Sequence, residues 1–592
     1  MTKHIFVAVA WPYANGDLHL GRVAGALIPA DIFARYHRLK GNHVLTISGS
    51  DAHGTPITLA ADKESASPQA IFSRYHQSFL ETQLALGISY DLFTHTDTDT
   101  HAQVAQDIFC QLYEAGYIFP QTQRLLYSET EQRFLPDRYV EGTCPHCGDL
   151  NARGDQCDNC GQVLDATELI DPRSTLDGSR PIVRKTDHLF LDLPAFANQL
   201  QLFLDSHADH WRANPLNFSR SWLAQGLKPR PITRDLDWGI PVPLAGWEEK
   251  KLYIWFENII GYLSASVAWA REQGEPDAWK AWWYNPAAES YYFLGKDNIP
   301  FHTIIWPAQL LGIERLYETD TNKRLNLPHD VPANHFLTLE GRQFSSSRNW
   351  AIWLPELLER YQPDQLRYYL AATLPETSDS DFSWVDFVQR NNSELVGTWG
   401  NLVNRVTTFA YKHWNGRIPT PSTLRPIDHD LRREIEAGFE TVGGLLTAVK
   451  LRPALQAALA LARSVNGYLD SAPWYQVIKS DRQEAATTVY TALWAIDSLK
   501  ILLAPFLPFS SETLHQTLGY TEPLFRKQKI TTIQEATQSH QALVYDDGVE
   551  NGRWQPSDLP PNQQLRKPRP LFAKLDSDVA AREVERLRGA ER

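Results

Sequence analysis

The sequence predicts an α/β fold: a Rossmann-type parallel sheet, split by a cysteine-bearing insertion and followed by an α-helical bundle. Three observations carry this. Ile5–Arg22, IFVAVAWPYANGDLHLGR, reads as strand, tight loop and helix start: an apolar run ends at Pro12, Asn15 and Gly16, and helical spacing resumes from Val23 to Leu39. Apolar runs ending in loops recur at His43–Ser48 and in Tyr291–Gly295, as in an open sheet that binds ligands at the carboxyl edge of its strands. From about Gln389 the pattern changes to long amphipathic helices, with Leu395, Trp399, Leu402, Val406 and Phe409 on one core face.

At 592 residues the chain is too long for one core. The boundaries read as 1–116 for the first half-sheet, 117–230 for the insertion, 231–326 for the second half-sheet, 327–388 for a loop and linking region, 389–540 for the helical domain and 541–592 for a tail. Hydrophobic content of 43% marks a globular protein, and a net charge of −13 argues against a general nucleic-acid coat while leaving room for one local RNA-reading surface. No signal peptide or apolar run long enough for a membrane span is visible, so a cytoplasmic location and no membrane partner are expected.

In chain order, the first loop ends in His19-Leu20-Gly21-Arg22. Free N–H groups at such a helix start suit phosphate, and His19 and Arg22 can donate to its oxygens; an ordinary βα turn carries the same residues. The second strand ends in Asp51-Ala52-His53-Gly54-Thr55-Pro56, where Asp51 suits a substrate ammonium or a helix cap. The insertion holds Cys144-Pro-His-Cys147 and, nine residues on, Cys157-Asp-Asn-Cys160. Paired C-x₂-C knuckles predict one closed, structural Zn²⁺ site with four thiolates, in a reducing compartment. Cys110, in the helical run DIFCQLY, reads as a small core residue.

Beyond the insertion, Leu252–Tyr262 reads as a strand passing into a helix, with Trp255 and Tyr262 seven apart and able to share one face. Lys296-Asp297-Asn298 opens a helix after Gly295. A Ser-rich turn, Gln343-Phe-Ser345-Ser346-Ser347-Arg348, follows further on. Asn401 and Arg405 share a stripe on the next long helix, and Pro473-Trp474 is read as opening another, its indole either packed on the bundle or exposed to stack on a base. The charged end, Arg582–Arg592, reads as a solvated face.

HLGR resembles the HIGH signature of the class I aminoacyl-tRNA synthetases, and AWPYANGDLHLGR is similar to its form in the methionyl-tRNA synthetase family. DAHGTP, ITRDLDWGIPVP, YYFLGKDNIPFHTIIW, the KMSKS-like FSSSR, NLVNR and SAPW extend the resemblance over most of the chain. It implies ATP-dependent activation of L-methionine, with Mg²⁺, and transfer to tRNA(Met), including initiator tRNA, by a monomer. It implies that His19, Arg22, Ser345, Ser346, Ser347 and Arg348 serve the chemical step, and that Pro12, Gly21, Gly295, Asp297 and Ser346 bind ATP. Trp11, Tyr13, Asp51, Trp255, Asn258, Tyr262 and His302 are implied for methionine, Arg234 and Asp235 for the site's rim, and Asn401, Arg405, Pro473 and Trp474 for the anticodon. The sequence departs from the pattern twice. Glu257-Asn258-Ile259 stands where DAP or DAV is usual, and both lysines of the loop are replaced, by Gln343 and Ser346. These departures keep open a paralogue with altered amino-acid specificity, or one that binds RNA without aminoacylation. Synthetases for Val, Ile or Leu would carry a larger insertion, and a small nucleotidyltransferase would lack the helical part.

Overall fold

The computed structural model describes residues 2–136, 139–154, 157, 159–160, 164–345, 349–549 and 552–590. Strand β1 (His4–Val9) lies inside a seven-stranded sheet, paired in parallel with β2 (His43–Ser50) on one side and β6 (Glu289–Gly295) on the other. β3 (Leu92–His95) continues the sheet beyond β2, and β7 (Ala333–Asn334) beyond β6. The switch in strand order beside β1 opens a crevice at the carboxyl edge, the place where such sheets bind ligands. β1 is buried along almost its whole length because helices cover both faces, which is why it reads as a continuous apolar run and not an alternating one. One of these is α1 (Ile28–Leu39), entered through Leu20–Arg22 and a π-helical turn, Val23–Leu27.

The insertion is more than a knuckle. β4 (Ile118–Ser128) and β5 (Ile182–Leu191) form a long antiparallel arm, with Ile118 opposite Leu191 and Tyr127 opposite Ile182. The cysteines hang at its tip beside a small sheet that includes Val140–Thr143 and Ile170–Ser174.

The helical part contains α5 (Asn401–His413), α6 (Pro426–Thr447), α7 (Leu451–Ser471) and α8 (Arg482–Leu503), and the face from Leu395 to Val406 is buried as its spacing predicts. A latch joins it to the sheet domain. Arg367, wholly buried on α4 (Pro363–Ala372), reaches Asp31 on α1 at 2.6 Å and the carbonyls of Pro505 and Phe506 at 3.0 Å.

Two expectations for the end of the chain are corrected. Helices do not run to residue 540: β8 (Gln528–Gln534) and β9 (Ser539–Tyr545) form a hairpin whose β9 pairs antiparallel with β3, closing an otherwise open sheet edge. The charged end is not a fully solvated face either. In α9 (Val579–Ala590), Glu583 is buried and accepts from Arg360 Nε at 3.0 Å and Tyr361 Oη at 2.9 Å.

Candidate active site

The phosphate loop and the serine-rich segment meet. The His19 ring stacks on Phe344 at 5.2 Å, and Leu20 N–H donates to Ile352 O at 3.2 Å. A Cβ on Gly21 would lie 3.1 Å from the His19 ring, so glycine is what lets the imidazole fold back over the helix start. Burial, and then the nearby Arg22 charge, bring the His19 imidazole down to about 3, so it is neutral, and among the described residues its Nδ1 has no hydrogen-bond partner. A buried, neutral, unsatisfied ring nitrogen at a helix start fits a phosphate oxygen. Arg22 Nη1 donates to Tyr13 O at 3.0 Å. Ser345 exchanges both backbone hydrogen bonds with Trp350, at 2.9 and 3.0 Å, which closes the loop; Ser346, Ser347 and Arg348 lie outside the described residues. Of the other nearby cations, Arg342 stacks on Trp350 at 3.9 Å and Lys296 is paired with Asp379 at 2.8 Å.

The first loop is laced to the Asp51 loop: Asp51 N–H donates to Pro12 O at 2.9 Å, and Ala14 N–H to Asp51 O at 3.2 Å. Tyr13 lies over Gly54, where a Cβ would fall 2.5 Å from its ring. The Asp51 side chain is buried and accepts from His53 N–H at 3.1 Å and Asn258 Nδ2 at 2.6 Å. Burial and the Glu257 charge raise its pKa against these donors. Asn258 therefore spends its amide N–H on Asp51.

That pocket is aromatic. Tyr262, wholly buried, donates to His302 Nε2 at 2.8 Å, while His302 Nδ1 donates to Asn298 O at 2.9 Å. Burial holds His302 down at about 4, so it is neutral and its tautomer is set by the Asn298 carbonyl. Trp11 meets Tyr262 edge-on at 6.3 Å. Its indole fits because residues 49 and 261 are glycines: Cβ atoms there would lie 2.3 and 2.8 Å from it. Trp255 does not share the Tyr262 face. A 3₁₀ turn, Asn258–Ile260, separates the helices Ile254–Glu257 and α3 (Gly261–Glu272), and so breaks the seven-residue spacing. Trp255 packs on Phe301 at 5.3 Å and lines a cavity of about 630 Å³ walled mostly by the insertion, with Arg230, Arg234 and Asp235.

Gly295 and Asp297 sit at the carboxyl end of β6, and a Cβ on Gly295 would come within 2.7 Å of Asp297 Oδ1. In the helical domain, Arg405 Nη2 donates to Asn466 Oδ1 at 3.1 Å and its guanidinium lies 5.4 Å from the Trp474 ring, while Asn401 is exposed. Two expectations fail here. Pro473 and Trp474 stand in a run of turns, and Trp474 is only 4% exposed because it packs on Phe409 at 5.0 Å; Tyr475, 57% exposed, is the aromatic at the surface.

The four cysteine sulfurs lie within 4.8 Å of one another. Cys144–Cys160 and Cys147–Cys157 are 3.9 and 3.6 Å apart, far from disulfide bonding and close to the ~3.8 Å edge of a tetrahedron with 2.3 Å metal–thiolate bonds. The set fits one metal ion. The sequence did not single out Glu257, His53 or His101: His53 in DAHGTP and Glu257 in WFEN were the available signal, and His101 had none.

The family model for class I tRNA synthetases (M) matches residues 5–407, and that for the anticodon binding domain of methionyl tRNA ligase matches residues 418–551. A methionine–tRNA ligase of Thermomicrobium roseum is 57% identical over 590 residues, and one of Chloroflexus aurantiacus 53% identical over 598, each match covering 99% of both chains. Among solved structures, Mycobacterium tuberculosis methionyl-tRNA synthetase in complex with methionyl-adenylate aligns with a TM-score of 0.74 at 23% identity, over 97% of this chain and 100% of that one. At that identity the likeness is one of fold.

Proposed function

The chain belongs to the class I tRNA synthetases of the methionine branch, and from that membership we infer how its residues divide the work. It joins L-methionine to ATP, giving methionyl-adenylate and pyrophosphate, and passes the aminoacyl group to tRNA. No side chain forms a covalent intermediate. The methionine carboxylate oxygen bonds to the α-phosphorus as the bond from that phosphorus to the pyrophosphate oxygen breaks, and the site acts by positioning and charge.

Asp51 receives the ammonium, and Trp11, Tyr13, Trp255, Tyr262 and His302 surround the side chain. Asn258 acts on methionine through Asp51. Pro12, Gly21, Gly295 and Asp297 bind the nucleotide, and neutral His19 and charged Arg22 meet its phosphates. With both loop lysines replaced, Arg348 and Arg22 share the charge of the leaving pyrophosphate, and Ser345, Ser346 and Ser347 add uncharged donors. Bound with ATP, Mg²⁺ supplies further charge to the phosphates. Cys144, Cys147, Cys157 and Cys160 would hold a structural Zn²⁺, whose binding supplies folding energy to the tip of the insertion. Asn401 and Arg405 read the anticodon, and Trp474, packed on Phe409 and beside the Arg405 guanidinium, supports that surface together with Pro473. The protein works as a cytoplasmic monomer; among the described residues, no helix is long and apolar enough to cross a membrane.

The observation that carries this division is a buried carboxylate with two donors, Asp51, next to a neutral aromatic wall, Tyr262–His302. Asp51→Asn tests it. Loss of a charged hydrogen-bond partner is worth about 1.5–3 kcal/mol, so the methionine KM rises by roughly 10- to 150-fold with the ATP KM unchanged. An unchanged methionine KM contradicts the assignment.

A further inference from the structure

Glu257 is wholly buried, and both its oxygens are engaged by imidazoles. Oε1 lies 3.1 Å from His53 Nδ1, and Oε2 lies 2.7 Å from His101 Nε2. His53 belongs to the loop after β2, and His101 to the first turn of α2 (Asp99–Glu114), so one carboxylate ties together three elements at the carboxyl edge of the sheet. His101 Nδ1 continues to Ser264 Oγ on α3 at 2.8 Å. Trp238 closes the cluster, donating to Ala52 O at 2.6 Å with its ring 5.6 Å from that of His53.

A carboxylate is costly to bury unpaired. Its partner here is His53. Burial opposes the imidazolium, but Glu257 and Asp97, 3.7 Å from His53 Nε2, outweigh burial and push the ring up to about 10. Around His53 stand the acids Asp51, Asp97 and Glu257 and the imidazoles of His95 and His101.

The two donors that hold the Asp51 carboxylate both depend on Glu257. One is the backbone N–H of His53, whose ring Glu257 grips; the other is Asn258, the next residue in the chain. We propose that Glu257 is a positioning residue for the methionine ammonium, fixing the Asp51 carboxylate through His53 on one side and Asn258 on the other. This rests on the reading of Asp51 as the ammonium acceptor. Glutamine at 257 must turn its NH₂ toward one of the two imidazoles, so it cannot accept from both. The positioning role and a bare field effect differ in sign. Removing the Glu257 charge alone would ease ionisation of Asp51 and tighten methionine binding, whereas loss of positioning weakens it.

The test uses the full chain with Glu257→Gln and Asp51→Asn side by side. Affinities are measured for ATP and L-methionine, for methioninol, which keeps the ammonium and lacks the carboxylate, and for 4-(methylthio)butanoate, which lacks the ammonium. Glu257→Gln should weaken methionine and methioninol by about tenfold and change ATP and the butanoate by less than about twofold. Glu257→Asp, which keeps the charge and reaches one imidazole, should recover part of the loss. Equal losses for every ligand, or tighter methionine binding, overturn the proposal. A loss in Asp51→Asn with none in Glu257→Gln overturns it alone; methioninol affinity unchanged in Asp51→Asn overturns the ammonium reading and this proposal with it. Should Glu257→Gln fail to fold, His53→Gln carries the same test with the same expected pattern.

Discussion

Gly261→Ala probes the methionine pocket through a clash that the structure makes specific. The three atoms nearest a Cβ at 261 all belong to the Trp11 indole, at 2.8, 2.9 and 3.1 Å. Ordinary contact begins at 3.4 Å, so the ring must retreat by 3.4 − 2.8, about 0.6 Å. Overpacking of this kind costs about 1–3 kcal/mol. If Trp11 walls the methionine side chain, the displacement appears in binding, as a rise of roughly 5- to 150-fold in the methionine KM. The ATP KM should hold, because the nucleotide residues lie at the loop and at β6. Gly49→Ala behaves differently: its Cβ would meet the indole at 2.3 Å and also the Thr94 carbonyl at 2.7 Å, so backbone must move and folding itself is damaged. Adding Trp11→Leu to Gly261→Ala should restore the thermal midpoint without restoring methionine affinity. Steady-state ATP–pyrophosphate exchange with each substrate varied reads both constants. A methionine KM that stays constant in Gly261→Ala, or moves in step with the ATP KM, refutes Trp11 as a pocket wall.

Elemental analysis of protein prepared without chelator should find one zinc per chain, and Cys147→Ser should lose it and lower the stability of the insertion; metal-free wild type contradicts the thiolate site. Arg405→Ala should cost about 1.5–3 kcal/mol of tRNA binding while adenylate formation holds, whereas Trp474→Ala should lower the thermal midpoint because its indole packs on Phe409; equal losses in both half-reactions for Arg405→Ala contradict the anticodon reading. Acid should destabilise the fold through its neutral histidines. Burial holds His19 and His37 at about 3 and His76 and His302 at about 4, against 6.5 in the unfolded chain. Below pH 6.5 the unfolded chain therefore binds protons that the fold refuses, so this stability is complete above 6.5 and is lost as pH falls toward 4. Thermal midpoints at pH 7.5 and pH 5 check the sign, and a higher midpoint at pH 5 contradicts it.

What the sequence made legible was local. The strand, loop and helix at Ile5–Leu39 and the paired knuckles carry their own signals over short spans, and both take the expected form. The β8–β9 hairpin was hidden because its partner strand is Leu92–His95, more than four hundred residues away, and much of it is polar to suit a sheet edge. The Trp255–Tyr262 face failed because periodicity assumes an unbroken helix, and a 3₁₀ turn intervenes. Asn258 looked like a pocket residue because sequence gives adjacency and not direction; its amide turns to Asp51. Trp474 was expected at the surface because the resemblance gave it to the anticodon, and Phe409 supplies its cover from α5. The Glu257 cluster joins three segments through side chains alone, so no single stretch of sequence announces it.

The central claim is that this chain activates methionine, with Asn258 and a loop without lysines in place. Amino-acid-dependent ATP–pyrophosphate exchange, run over methionine, leucine, isoleucine, valine and norleucine, tests it most directly. Exchange should depend on methionine, with the other natural amino acids far behind in kcat/KM. Exchange driven better by another natural amino acid, or no exchange with any of them from protein that still binds tRNA, would contradict it.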